Sequence, residues 1–161
     1  MKTLLFKASL LLAIALYVSG CSDSDVITNN GTNNPGLSGL IKVDSAYATG
    51  SKAIVALYAS DSLKTGYNKF YVVLYDSATG TLITDSHVMI MPEMNMGMMS
   101  HSAPYENPAS ETAVDGKYPC AVVFIMPSDN TMPWKLDVMV HNHSAPGEPE
   151  GTASFNLAVS N

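Results

Sequence analysis

The stretch from Trp134 to Asn142, "WKLDVMVHN", settles the fold class. In an extended chain Trp134, Leu136, Val138 and Val140 fall on one face, and Lys135, Asp137, Met139 and His141 fall on the other. A period of two gives a strand one face for a core and one for water, whereas a helix would scatter the same residues around its axis. "TASFNLAV" repeats the pattern, with Phe155, Leu157 and Val159 opposing Ser154, Asn156 and Ala158.

Working outward, strands are expected at 40–48, 53–59, 69–76, 81–91, 118–126, 134–142 and 152–159. Turn chemistry separates them: "TGS", "SLKTGYN", "DSATG", "PSDNTMP" and "APGEPEG". "YPCAVVFIM" is apolar on both faces, which predicts a strand inside a sheet, and its Cys120 reads as a small buried hydrophobe. Tyr67, Tyr71 and Tyr75 share one face of their strand as packing or surface aromatics. The expected fold is all-β: a single immunoglobulin-like antiparallel sandwich of about seven strands over residues 40–161.

The first residues point to a compartment. Lys2 and Lys7 precede the apolar run "LLLAIALYVSG", which ends in small residues as a secretory signal does and is short for a membrane span. Val18-Ser19-Gly20-Cys21 resembles the bacterial lipobox, so residues 1–20 are expected to be removed and Cys21 to carry lipid; an ordinary signal with a chance cysteine is the plain alternative. Removing 1–20 deletes two lysines and leaves 6 basic residues against 14 acidic ones. With no arginine in the chain, nucleic acid is not an expected partner. Residues 21–39, rich in Ser, Asp, Asn and Gly, read as a flexible tether. Its "SDSD" resembles the acidic export signal of some Bacteroidetes lipoproteins, or is a solvated linker. The expected location is the cell envelope, on the outer membrane and facing the periplasm or the surface.

One connection is too long for a minimal sandwich. Some 26 residues between Met91 and Tyr118 show no sustained period, and the expectation is one long Met-rich loop. "HVMIMPEMNMGMMSHSAPYENP", residues 87–108, holds six of the ten methionines and two of the four histidines. Met94, Met98 and His101 have a spacing that one helical turn would align, but Pro92, Asn95, Gly97 and Pro104 limit any helix. A thioether needs no deprotonation to ligate Cu(I) and forms no disulfide in an oxidising compartment. A nearby imidazole extends such a site toward Cu(II). Core filling and an adaptable protein-contact surface remain open beside copper.

"LKTGYNKFYVVLYD", "PEMNMGMMSHSAPYENP" and "GKYPCAVVFIMPSDNTMPWKLDVMV" together resemble the YtkA-like and FixH-like domain family, in the order and spacing of three separate segments. The resemblance spans about 63–140. It implies a small envelope β-sandwich found with copper handling or cytochrome oxidase assembly, and proteins of those systems as partners. Carried over by position, it implies Met94, Met96, Met99 and His101 as copper ligands, with Met91, Met98 and Met126 in reserve. Met126 also reads as ordinary core packing. Where the family pattern has a cysteine after the histidine, this chain has Ala103, so the implied site lacks a thiolate.

His141 and His143 are two residues apart and could chelate Zn(II) or Cu(II), with no third ligand fixed by sequence; an ordinary exposed pair is the alternative. No G-x-S-x-G, H-E-x-x-H, C-x-x-C or phosphate-binding glycine loop is present, and no enzymatic activity is expected. If the lipobox is used, Cys21→Ala abolishes lipid labelling and moves the protein out of the membrane fraction. Unchanged membrane partitioning of the variant would refute the anchor.

Overall fold

Alternation between inward apolar and outward polar residues builds two antiparallel sheets whose inner faces meet. The computed structural model describes residues 35–161 apart from 130, 144–146 and 148. The expected signal, the expected lipidation at Cys21 and the expected tether as far as residue 34 lie outside the described residues. One sheet contains β1 (Ile41–Ala48), β2 (Ala53–Ala59), β3 (Gly66–Asp76), β8 (Tyr118–Phe124) and β7 (Tyr105–Glu106) in that order, with β4 (Leu82–Ile83) paired to the end of β3. The other runs β10 (Gly151–Leu157), β9 (Trp134–Asn142), β5 (Ser86–Asn95) and β6 (Ser100–Ser102).

Six of the seven expected strands are present within a few residues at their ends; the one expected at 81–91 is broken into β4, paired to β3 in one sheet, and β5 in the other, and β6 and β7 are short additions. The long strands divide four and three between the sheets, the count of an immunoglobulin constant domain. The connectivity is the molecule's own: β3 pairs with β2 in the same sheet, where an immunoglobulin third strand crosses to the other.

The core is the set of inward residues that the alternation identifies. Trp134, Leu136, Val138 and Val140 are buried, as are Phe155 and Leu157 from β10 and Val55, Leu57, Phe70, Val72 and Leu74 opposite them. Burying each such side chain contributes roughly 1.5–3 kcal/mol. Aromatic contacts link the two sheets: Phe70 meets Phe124 edge-on at 6.1 Å, and Phe124 meets Trp134 at 5.4 Å. Tyr67, Tyr71 and Tyr75 do share the outer face of β3, where Lys69 and Lys117 each stand over the Tyr71 ring.

The segment expected as one long loop instead begins as a hairpin and carries short strands, and this corrects the expectation for its first part. β5 continues through Pro92 to Asn95, turns at Gly97 and Met98, and returns as β6. Proline ordinarily stops a paired strand because it has no N–H. Here Pro92 faces the β6 side, where its carbonyl accepts the Ser102 hydroxyl at 3.1 Å, so its pairing to β9 loses no donor. Beyond β6 the chain keeps following the same edge: Asn107 Oδ1 accepts from the Ile90 N–H at 2.8 Å, and the Glu111 carbonyl accepts from Ser86 at 2.9 Å. At the end of the tether, Pro35–Leu37 form a short 3-10 turn. Gly36 there lies so close to the Asp115 carbonyl that a β-carbon would stand 2.2 Å from it.

Cys120 is buried on the inner face, as expected, and burial pushes its thiol up to about 12 from 9.0. Burial, reinforced by Tyr58, pushes the Tyr75 phenol up to about 12 from 10.0, and burial does the same for Tyr118. The unfolded chain starts to release these protons near pH 9 to 10, whereas the folded chain holds them to about 12. Their contribution to stability is therefore complete below pH 9 and falls as the pH rises toward 12. Thermal melts across this range should show a falling midpoint, with the Cys120 peptide unlabelled by a thiol reagent at pH 8 until denaturant is added. Labelling of native Cys120 at pH 8 would contradict the packing.

Candidate metal site

Register decides which methionines can meet. In the β5–β6 hairpin Met94 lies opposite His101, and the Met96 N–H donates to the Met99 carbonyl at 2.8 Å. Residues directly opposite in an antiparallel pair share a face, and so do residues two apart in a strand. Met94, Met96, Met99 and His101, the four residues carried over from the family pattern, therefore lie on one face of the hairpin. Gly97 supplies the positive φ of 84° that a two-residue turn needs at its first central position.

That face looks onto the turn between β8 and β9. A cleft of about 240 Å³ is lined by Met94, Met96, Met126 and Met132, with Pro127, Ser128 and Asp129. Met126 thus joins the hairpin methionines at the cleft, and it also packs against the core, as its core-packing reading expects. Met132 is a residue of the cleft lining that sequence reasoning missed. Its signal was the repeated Met-Pro at 126–127 and 132–133, one at each end of the turn.

Several bonds hold this turn in place. Trp134 Nε1 donates to the Met126 carbonyl at 3.0 Å, and the Ser128 hydroxyl donates to the Leu157 carbonyl at 3.1 Å. Asp129 Oδ1 accepts from the Thr131 hydroxyl and N–H and from the Met132 N–H. Those bonds hold the carboxyl below its usual range, with the Thr131 hydroxyl the largest cause. Asp129 is thereby engaged in ordering the segment that carries Met132 over the cleft.

The remaining residues separate by position. Met94 is 3% exposed, and Met96 is 40% exposed. Met99 (62% exposed) and His101 stay on the β6 flank, outside the cleft lining. The His101 ring makes no hydrogen bond among the described residues. Met98, which a helical turn would have aligned with Met94 and His101, sits fully exposed at the hairpin tip, because the backbone there is a β-turn. Met91 is on the outer face of β5 opposite Asp137, so the pleat itself keeps it out of the cleft. Ala103 is buried in the core.

At the far end of β5 the picture differs. His87 lies opposite His141, and the rings of His141 and His143 are 5.4 Å apart. Among the described residues, no three His, Cys, Asp or Glu side chains already stand in a metal-holding arrangement. The methionine cleft is a different donor set, of thioethers.

The chain matches no family model, no curated protein and no solved structure.

The geometry sets an order of oxidation. Mild peroxide should convert Met98 and Met99 to sulfoxide first, Met96 and Met132 next, and Met94 last, as read by peptide mass spectrometry. Asp129→Ala removes the acceptor of three bonds and should speed oxidation of Met132 while leaving Met94 protected. Early oxidation of Met94 would refute the hairpin.

Proposed function

We propose that this chain binds Cu(I) through the thioethers gathered between the β5–β6 hairpin and the β8–β9 turn, as an envelope lipoprotein that sequesters or delivers copper. The observation that carries the reading is convergence: Met94, Met96, Met126 and Met132 come from opposite sides of one open cleft. Methionines that merely fill a core are sealed from water, yet Met96 is 40% and Met132 50% exposed. Neutral sulfur in a shallow, mostly apolar cleft suits a soft monovalent ion, since no proton has to leave and little charge is buried. His101, opposite Met94 on the same hairpin face, is the nearest imidazole in the pairing and would serve as the nitrogen ligand of this reading. The envelope setting is supported by the signal and lipobox pattern of residues 1–21, and the copper reading by the resemblance to YtkA-like and FixH-like domains. The partners that the resemblance implies, copper-handling or oxidase-assembly proteins, belong to the same proposal.

The test uses Cu(I) under anaerobic conditions with a competing chelator. The chain's single tryptophan, Trp134, lies opposite Met94 and is bonded to Met126, so its emission should be quenched as Cu(I) binds. Replacing Met94, Met96, Met126 and Met132 with leucine preserves volume at under about 1.5 kcal/mol each. This variant should lose Cu(I) affinity by about 100-fold or more, equivalent to about 2.7 kcal/mol. Replacing Met98 and Met99 with leucine should leave binding unchanged. Undiminished binding by the four-leucine variant would overturn the reading in favour of a methionine-rich surface for protein contact.

A further inference from the structure

We infer that the outer face of the β5–β9 pair, at the pole opposite the methionine cleft, carries a second metal site of three imidazoles, His87, His141 and His143, suited to a divalent ion such as Cu(II) or Zn(II). The sequence offers His141 and His143 as a pair and no third donor; the strand register supplies it. His87 of β5 is the direct partner of His141 of β9, and the Asp85 carbonyl accepts the His143 N–H at 3.2 Å, which extends the same ladder by one step. Because residues two apart share a face, His87, His141, His143 and Asp85 form a two-by-two array on the solvent side.

The polar partners fit ligand duty. His87 Nδ1 is 2.9 Å from Glu111 Oε1, and His143 Nδ1 is 3.0 Å from Asp85 Oδ1. An ionised carboxylate can only accept, so each Nδ1 carries a proton, and in the neutral ring Nε2 is the nitrogen that offers a lone pair to a metal. Carboxylate partners of this kind orient metal-binding histidines and raise their basicity. Two imidazoles on a tetrahedral ion, with metal–nitrogen distances near 2.0–2.1 Å, have ring centres about 5 Å apart. The His141–His143 separation of 5.4 Å is close to that value.

The three rings do not yet point to a common centre, and rotation of half-exposed side chains is needed to bring them there. His87 is 44% exposed and His143 31%, and their partners Glu111 and Asp85 are 59% and 57% exposed, so rotation breaks little packing and the carboxylates can turn with the rings. Nitrogen donors favour Cu(II) over Zn(II) by the usual order of divalent stabilities. This site shares no residue with the thioether cleft, so either can fail without the other.

The full-length chain in detergent is titrated with Cu(II) and, separately, with Zn(II). One equivalent of Cu(II) should bind and give an electron paramagnetic resonance signal with coupling to three nitrogens. His87→Ala should reduce this to two nitrogens and weaken binding about tenfold or more. The double variant His141→Ala/His143→Ala should abolish it, and Zn(II) should displace Cu(II) only in excess. Replacing Met94, Met96, Met126 and Met132 with leucine should change neither titration. All three histidines face solvent, and circular dichroism checks that the variants fold. Unchanged Cu(II) coupling in His87→Ala, or retained binding in the double variant, would overturn the site.

Discussion

Trp134 imposes the constraint on which the rest of the molecule depends. A fully buried indole adds a large apolar surface to the core, yet its one N–H donor must find an acceptor. The acceptor is the Met126 carbonyl, two residues beyond β8, and Phe124 of the same segment packs on the ring. That single bond joins the end of β8 in one sheet to the start of β9 in the other, and so sets how the two sheets meet at this pole. The same residue lies opposite Met94 in the pairing with β5, which positions the hairpin above it. The floor of the methionine cleft is thus held by the core, while its rim remains open.

Core packing and the candidate donors draw on different parts of the same strands. Along β5, Val88, Ile90 and Met94 point inward and hold the sandwich together, while His87, Met89 and Met91 point outward. At the hairpin the inward face runs past the end of the core, and its side chains become cleft lining. A thioether suits that boundary because it packs as a hydrophobe and still offers a soft lone pair. The outward face at the other end of β5 gathers imidazoles with carboxylate partners, which are harder donors. Donors of different character therefore lie at opposite ends of one strand.

Much of the fold was legible in the sequence because β periodicity is a local signal. Six of the seven long strands, the inward face of Trp134, the burial of Cys120 and the shared face of the tyrosines follow from alternation and turn residues alone. The methionine segment was legible as a cluster of sulfur side chains and partly misread as backbone. Pro92 and Gly97 ordinarily break regular structure, and only the placement of Pro92 on the β6 side, with Ser102 bonded to its carbonyl, makes the proline tolerable in a strand.

The sequence by itself determined the class of the protein, the identity of its core residues and the supply of sulfur and imidazole donors, since these depend on side-chain type and on neighbours two residues away. Tertiary structure decided which donors meet. Met126 and Met132 reach Met94 and Met96, Met91 and Met98 are turned away, and His87 arrives beside His141, because strand register pairs residues dozens of positions apart. A shift of that register by one residue would reverse every face. No local pattern encodes the pairing; it follows from the requirement that both sheets bury their apolar faces together.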